Sequence, residues 1–283
     1  MSETRPWSGR AAASTTVRDT VLEATARLSA AGCDTPRLDA ELLVADAMGV
    51  DRGGLWLGAE GAVDDDLATA VAERIERRER REPVAYITGL KGFRHIDLFV
   101  DGRVLIPRAE TEMIVDVVLE LPAGARVHDV GTGSGAVALA AKHERPDLTV
   151  SGSDLSADAI EVARENARRL ALDVSFAVAP DLPSGSYDLV AANLPYIRDD
   201  EWASLAPEMT EFEPASSFMA GSDGLDAIRG LVATAPPATR LVLEHTPEQA
   251  AAVRAMLDEA RSLRWLDDRE WVTVGTVPRG TTG

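Results

Sequence analysis

From Pro107 to the end of the chain, short apolar runs alternate with stretches of helical periodicity. The apolar runs predict strands over residues 126–130, 148–154, 174–179, 187–192, 240–244 and 270–276. The periodic stretches predict helices over residues 110–121, 136–143, 156–170, 224–235 and 247–262. Strands that alternate with helices in this way predict an α/β fold, with a doubly wound, mostly parallel Rossmann-like sheet.

The chain before Pro107 has a different pattern. Apolar spacing predicts three helices over residues 16–32, 35–49 and 64–81, which make a small helical domain over residues 16–82. Thr35 is expected to cap the second helix. The polar residues 1–15 are expected to form a flexible tail. Two apolar runs within 93–106, separated by Asp101-Gly102, predict a β-hairpin in a linker over residues 83–106. The second domain then spans residues 107–283.

The predicted strand that ends at Ala192 is followed by Asn193, Leu194, Pro195 and Tyr196. Pro195 cannot donate a ladder hydrogen bond, so the strand must stop near Asn193. Open α/β sheets bind ligands at the carboxyl ends of their strands. The Asn193 amide and the flat Tyr196 ring together suit a planar NH2 group. A plain strand followed by a turn remains the alternative for this stretch alone.

A glycine-rich turn, Gly131-Thr132-Gly133-Ser134-Gly135, follows another predicted strand and opens a helix. Glycines let a ligand approach the backbone at the helix N-terminus. Asp154 ends the next strand and is placed to accept ribose hydroxyls. The same spacing also fits a dinucleotide fingerprint, so a nicotinamide or flavin enzyme is an alternative on this motif alone.

The two sites together favour methyl transfer. The first and fourth strands of a doubly wound sheet are neighbours, so the glycine turn and Asn193 should face one cleft. A dehydrogenase usually needs a proton donor such as His or Lys there, and none of the four histidines follows the fourth strand. Transfer from S-adenosyl-L-methionine needs mainly the alignment of nitrogen, methyl and sulfur.

The composition of the chain limits the classes of binding partner and cofactor that are expected. The formal net charge is −18, which disfavours direct nucleic-acid binding. Cys33 is the only cysteine, so neither a disulfide framework nor a cysteine metal cluster is expected, and no metal is predicted. The start of the chain has no apolar signal-peptide region, and no apolar window is long enough for a membrane span. A soluble, cytoplasmic, monomeric protein is expected.

Several stretches match the release factor glutamine methyltransferases, a family of class I S-adenosyl-L-methionine-dependent N-methyltransferases that the chain resembles. These enzymes methylate the side-chain amide of the Gln in the Gly-Gly-Gln loop of peptide chain release factors. The matching stretches are residues 37–43, 82–89, 105–112, 129–135, 193–196, 213–214 and 221–226. The element Ile106-Pro-Arg-Ala-Glu-Thr-Glu112 is more specific than the glycine turn.

The resemblance implies roles for individual residues. The cofactor-binding residues would be Asp129, Gly131, Thr132, Gly133, Ser134, Gly135, Asp154, Asp181, Leu182 and Asn193. The residues that grip the accepting nitrogen would be Asn193, Leu194, Pro195 and Tyr196, with Asn193, Pro195 and Tyr196 as the catalytic set. The Asn193 side-chain oxygen and the Leu194 carbonyl would hold both hydrogens of the amide.

The chain also departs from the family pattern. Leu194 and Ala109 replace prolines, and Glu244-His245-Thr246 replaces Glu-Ile-Gly. These departures leave open a small-molecule N-methyltransferase that acts on the amide or guanidino nitrogen of a free amino acid such as arginine. An adenine N-methyltransferase and a binding protein without catalysis are further alternatives.

Overall fold

The computed structural model describes residues 15–279, so all but the last residue of the predicted tail 1–15 lies outside the described residues. The chain divides into two compact units between Thr88 and Gly89. The division falls within the predicted linker 83–106, between its first residues and the hairpin. Each unit is described below by itself.

The first unit is helical. Its helices are α1 Val17–Ala30, α2 Pro36–Met48, α3 Arg52–Leu57, α4 Asp65–Glu79 and α5 Val84–Thr88. Helices α1, α2 and α4 confirm the three predicted ones, and their apolar faces enclose one core that includes Leu28, Leu43 and Ile75. Helices α3 and α5 were not predicted, because segments of five or six residues are too short for a periodic signal.

The predicted cap of α2 is wrong in detail. Thr35 occupies the N-cap position, but its side chain makes no capping hydrogen bond. Its hydroxyl instead donates to Oδ1 of Asp39 at 2.7 Å, and Oδ2 of Asp39 accepts from Nε of Arg78 at 2.7 Å. Asp39 and Arg78 are both buried, so this ion pair joins α2 to α4 inside the helical unit.

The second unit opens with a β-hairpin, made of β1 Leu90–Phe93 and β2 Ile96–Phe99. The predicted hairpin turn at Asp101-Gly102 is wrong, because the chain reverses at Arg94 and His95, where Arg94 has a φ of 50°. Asp101 does form a turn, in which its carboxylate accepts from the Arg103 backbone at 3.1 Å. The chain that follows this turn is buried at Val104 and Ile106 without forming a strand.

The remaining elements build the sheet and its flanking helices. The strands are β3 Arg126–Val130, β4 Thr149–Asp154, β5 Ser175–Val178, β6 Leu189–Ala192, β7 Arg240–Glu244, β8 Asp258–Arg264 and β9 Glu270–Thr276. The helices are α6 Glu112–Leu119, α7 Ala136–Glu144, α8 Ala157–Leu170, α9 Asp226–Thr234 and α10 Ala250–Ala255. The strand order is β5-β4-β3-β6-β7-β9-β8, with the first five strands parallel. The predicted doubly wound sheet is confirmed.

The predicted helix over residues 247–262 is wrong in its second half. Helix α10 ends at Ala255, and residues 258–264 form β8, which pairs antiparallel with β9. The charged residues of this edge strand conceal its period. The backbone edge of β9 that does not pair with β7 provides the hydrogen bonds that make the segment extended, so tertiary pairing overrides local propensity.

Strand β6 lies between β3 and β7, and all four of its residues are buried. The parallel strands β3, β4 and β6 end at the same edge of the sheet, where Gly131, Asp154 and Asn193 are found. Among the described residues, no helix is both long and apolar enough to cross a membrane.

The buried pair in the helical unit yields a stability prediction. Asp39→Ala is expected to lower the free energy of unfolding by about 3–5 kcal/mol, because it removes the buried carboxylate that pairs with the buried Arg78 guanidinium. Arg18→Ala is the matched control, since Arg18 and Glu60 form an exposed ion pair, and it is expected to change stability by less than about 1 kcal/mol. Urea denaturation measures both. Equal losses in the two variants would contradict the role of the buried pair.

Candidate active site

One cavity of about 450 Å³ lies at the carboxyl ends of β3, β4 and β6. Gly131 and Gly133 line it after β3, Asp154 lines it at the end of β4, and Asn193 lines it directly after β6. The structure therefore brings the glycine turn and Asn193 to one cavity, as expected from neighbouring strands. The volume is within the range of small-molecule sites.

The glycine turn leaves open space toward the cavity. Gly131 and Gly133 have φ values of 70° and 54°, which side chains rarely adopt. A Cβ on Gly131 would lie 2.9 Å from Cδ2 of Leu194, whereas a Cβ on Gly133 would have no heavy atom within 4 Å. The turn is thus packed against Leu194 on one side and open at Gly133.

Four residues predicted to bind the cofactor do not line the cavity: Asp129 before the turn, and Thr132, Ser134 and Gly135 within it. The Thr132 hydroxyl donates to Oδ2 of Asp129 at 2.6 Å, and the Thr132 backbone donates to the Ser153 carbonyl at 2.9 Å. Burial raises the pKa of Asp129 to about 7, against the lowering effect of the Thr132 hydrogen bond. These contacts hold the turn between β3, β4 and α7.

Asp154 fixes the open part of the turn. Its Oδ2 accepts from the Gly133 backbone at 2.9 Å, and its Oδ1 accepts from the Ser156 backbone at 2.9 Å. A carboxylate offers about four acceptor positions, so roughly two remain for other donors. Asp181 and Leu182, which follow β5, line the same cavity as predicted residues of the adenine segment.

The first three residues of the Asn193–Tyr196 segment line the cavity. Nδ2 of Asn193 donates to Oγ1 of Thr111 at 3.0 Å, which leaves Oδ1 directed elsewhere. Leu194 and Pro195 also line the cavity. No described residue donates a hydrogen bond to the Leu194 carbonyl. The segment thus retains two oxygen acceptors, Oδ1 of Asn193 and the Leu194 carbonyl.

Tyr196 is half-buried as a residue, whereas its hydroxyl is enclosed. That hydroxyl donates to Oε1 of Glu244 at 3.1 Å. Burial, followed by the charge of Glu244, raises the pKa of Tyr196 well above its usual range, so the phenol stays protonated. Tyr196 is not among the residues that line the cavity.

Glu244 ends β7 and is buried. Burial raises the pKa of its carboxyl group to about 7, although hydrogen bonds from Thr111 and Tyr196 lower it. Its second oxygen, Oε2, has no well-aligned hydrogen-bond partner among the described residues. Glu244 is therefore a buried carboxyl group directly behind the Asn193–Tyr196 segment.

The end of the segment is held from the other side by Gln249. Its Nε2 donates to the Tyr196 carbonyl at 2.9 Å and to the Asp223 carbonyl at 3.1 Å, and its Oε1 accepts from the Thr246 backbone at 3.0 Å. Gly224 lies against the same place, where a Cβ would collide with the Tyr196 carbonyl. The position of Tyr196 thus depends on a glycine and a glutamine from later loops.

Sequence reasoning missed several residues of this region. Thr111 was part of a stretch used for the resemblance, but it was given no role. Glu244 was noted only within a stretch that departs from the family pattern, and Gln249 was given no role. Residues 216–217 and 227–234 supply a further wall of the cavity and were given no role, because their contribution depends on how the chain folds back.

Comparisons with known proteins agree with this geometry. Residues 19–89 match a family model described as the PrmC N-terminal domain, and residues 127–212 match a methyltransferase domain model. A release factor glutamine methyltransferase of Xylella fastidiosa is 41% identical over 277 residues, covering 89% of this chain and 98% of that relative. One of Streptomyces coelicolor is 38% identical, covering 93% of this chain and 95% of the relative.

The chain belongs to the release factor glutamine methyltransferase family.

A family member of Deinococcus radiodurans is 37% identical, with 88% of this chain and 91% of the relative covered. Among solved structures, the hMettl16 catalytic domain in complex with the MAT2A 3′UTR hairpin 6 is similar in fold, with a TM-score of 0.51 and 13% identity. That match covers 75% of this chain and 83% of the other. The low identity supports the fold alone.

The cofactor of this methyltransferase family is S-adenosyl-L-methionine, and the cavity residues fit it. The open space at Gly133 admits a ligand close to the backbone. Asp154 has acceptor positions left for the hydroxyls of a ribose, and Leu155 and Leu182 supply apolar wall for an adenine. The predicted cofactor is therefore compatible with the side chains present.

Gly224 yields a prediction for the geometry of the site. Gly224→Ala is expected to lower the free energy of unfolding by about 2 kcal/mol or more, because φ is positive and the Cβ meets the Tyr196 backbone. Gly230→Ala is the matched control within α9, where a Cβ meets nothing within 4 Å and stability should rise by up to about 1 kcal/mol. Thermal and urea unfolding measure both, and a stable Gly224→Ala protein would contradict the packing described.

The raised pKa of Glu244 yields a pH prediction. A carboxyl group whose pKa rises from 4.5 to about 7 on folding stabilises the fold below pH 4.5, and this contribution is lost as the pH rises to about 7. Glu244→Gln removes this dependence. Its stability relative to the wild type should increase between pH 5 and 7 by at most about 3 kcal/mol and then stay level. A difference independent of pH would show that Glu244 has an ordinary pKa.

Proposed function

We propose that this protein methylates the side-chain amide nitrogen of the Gln in the Gly-Gly-Gln loop of peptide chain release factors. The family to which the chain belongs supports the substrate, since its curated members carry that name and match along nearly their whole length. The observation that carries the chemistry is the fixed amide of Asn193 beside the glycine turn in one cavity.

S-adenosyl-L-methionine supplies a methyl group on a sulfonium centre, which is already a good leaving group. An amide nitrogen is a weak nucleophile because its lone pair is delocalised. Oδ1 of Asn193 and the carbonyl of Leu194 would accept the two hydrogens of the substrate amide. With both hydrogens held, the nitrogen presents its lone pair to the methyl group.

Pro195 and Tyr196 would complete the binding site for the substrate amide. The ring of Tyr196 would cover the plane of the substrate amide, and Pro195 would fix the chain directly after the two acceptors. The chain needs no strong base at the nitrogen, because the proton can leave after transfer. The main contribution to the rate is then alignment of the reacting atoms.

The glycine turn and the two acidic positions would bind the cofactor. Gly131 and Gly133 would admit its methionine part, Asp154 would accept from the ribose, and Asp181 and Leu182 would flank the adenine. Asp129, Thr132, Ser134 and Gly135 would act by holding the turn in shape. Asp154 has two oxygens already occupied by backbone donors, which fixes the orientation of the remaining acceptor positions.

The match of the N-terminal helical unit to the PrmC N-terminal domain favours the protein substrate over a free amino acid. We propose the helical unit, residues 16 to about 88, as the part that recognises the release factor. We further propose a monomer that acts in the cytoplasm without binding nucleic acid, in keeping with the net charge of −18.

The proposal is tested by transfer of a radiolabelled methyl group to purified release factor. Label is expected at the Gln of the Gly-Gly-Gln loop in the wild type, and Gln→Ala in that loop is expected to abolish it. Free glutamine, arginine and a mixture of amino acids serve as alternative acceptors. Label on a free amino acid with none on the release factor would overturn the proposal.

Two variants separate chemistry from cofactor binding. Asn193→Ala is expected to lower kcat by about 10²–10³-fold, because one of two preorganised acceptors is lost. Its Kd for S-adenosyl-L-homocysteine, measured by calorimetry, should change less than that of Asp154→Ala, which removes the proposed ribose acceptor. Undiminished turnover by Asn193→Ala would contradict the proposed mechanism.

A further inference from the structure

Two polar residues next to the candidate site are not used by the mechanism above, although both are buried. Thr111 lies at the start of α6, and Glu244 lies at the end of β7. Only 4% of Thr111 and 1% of Glu244 are exposed. Buried polar groups are costly unless they are hydrogen-bonded, so their placement calls for a physical reason.

Both residues contact the segment that holds the substrate. Oγ1 of Thr111 accepts from Nδ2 of Asn193 at 3.0 Å. Oε1 of Glu244 accepts from the Tyr196 hydroxyl at 3.1 Å. Burial raises the pKa of the Glu244 carboxyl group and the nearby Thr111 hydroxyl lowers it, so the two side chains are neighbours. Thr111 and Glu244 therefore form a polar network that contacts Asn193 at one end of the segment and Tyr196 at the other.

The network determines which end of the Asn193 amide faces the cavity. A threonine hydroxyl can donate one hydrogen and also accept, and in the structure Oγ1 of Thr111 accepts from the Asn193 amide. The lone pairs of Oγ1 are then what Thr111 offers to Asn193. The Asn193 amide therefore faces Thr111 with its NH2 group, and Oδ1 remains for the substrate.

We propose that Thr111 and Glu244 are positioning residues that fix the amide orientation of Asn193 and the hydroxyl of Tyr196 for methyl transfer. The proposal rests on the function proposed above. The two ends of the Asn193–Tyr196 segment are held by these two neighbouring side chains, Asn193 by Thr111 and Tyr196 by Glu244. Three elements, α6, β6 and β7, meet at this network.

The unsatisfied oxygen of Glu244 supports a functional reason for the arrangement. Oε2 is buried without a well-aligned partner among the described residues, and an apolar residue at this place would avoid that penalty. Functional sites are where such costs are found. Arg108 and Glu110 are the other charged groups whose fields reach Glu244, and their effects on it oppose each other.

Loss of the network has a specific consequence. The two ends of a carboxamide have nearly the same shape, so without Thr111 the Asn193 amide can turn by 180° and still fit. In the turned state its NH2 group faces the NH2 group of the substrate, and two donors meet. The expected defect is in the productive orientation of bound substrate, which lowers kcat and leaves cofactor affinity unchanged.

The primary variants are Thr111→Val and Thr111→Ser, assayed as purified full-length enzymes with release factor. Thr111→Val keeps the volume and removes the hydroxyl, and kcat is expected to fall about 10- to 100-fold. The KM for the cofactor and the Kd for S-adenosyl-L-homocysteine are expected to stay within about threefold. Thr111→Ser restores the hydroxyl and should retain kcat within about threefold of the wild type.

A double-variant experiment shows whether Thr111 acts through Asn193. In an Asn193→Ala background, Thr111→Val is expected to lower the single-turnover rate by less than about twofold further, because the amide it orients is gone. Glu244→Gln changes the network at its other end, where Glu244 contacts Tyr196. It keeps one acceptor oxygen and is expected to lower kcat less than Thr111→Val does, again with cofactor affinity unchanged.

The outcomes separate this inference from the proposed function. A wild-type enzyme that transfers no methyl group to release factor would overturn the proposed function and this inference with it. An active wild type with undiminished kcat in Thr111→Val and Glu244→Gln would overturn the inference alone. A Thr111→Val effect that persists in full in the Asn193→Ala background, or that Thr111→Ser shares, would also overturn it.

Discussion

The parallel pairing of β6 with β3 is the interaction on which the site depends. The register places Val130 opposite Ala192, so the residues that follow them, Gly131 and Asn193, leave the sheet side by side. The glycine turn can then approach the segment closely, and the Leu194 side chain packs against Gly131. One cavity with a backbone wall on one side and an amide on the other follows from this register.

Three residues from other parts of the chain hold the segment after β6. Thr111 fixes Asn193, Glu244 fixes the Tyr196 hydroxyl, and Gln249 fixes the Tyr196 carbonyl. A mechanism based on alignment requires a segment that is held at several points, because small displacements of a positioned acceptor strongly reduce the rate of transfer. Leu194 in place of a proline removes a fixed φ, and the three contacts hold Asn193 and Tyr196 on either side of it.

Much of the fold could be predicted from the sequence, because buried parallel strands are short apolar runs and amphipathic helices have a clear period. The predictable features include strands β3, β4 and β6 and the placement of Gly131 and Asn193 in one cavity. Strand β8 could not be predicted, because its pairing with β9 is a tertiary contact. The roles of Thr111 and Glu244 could not be predicted either, since their contacts with Asn193 and Tyr196 span 82 and 48 residues of sequence.

The central claim is that one cavity holds the cofactor beside a correctly oriented Asn193 amide. The most direct measurement is a high-resolution structure of the protein with S-adenosyl-L-homocysteine. The account predicts the homocysteine sulfur between the glycine turn and Asn193, a ribose hydrogen-bonded to Asp154, and Oδ1 of Asn193 turned toward the site of the transferred methyl. A ligand bound elsewhere, or an Asn193 amide that presents Nδ2 to the sulfur side, would contradict it.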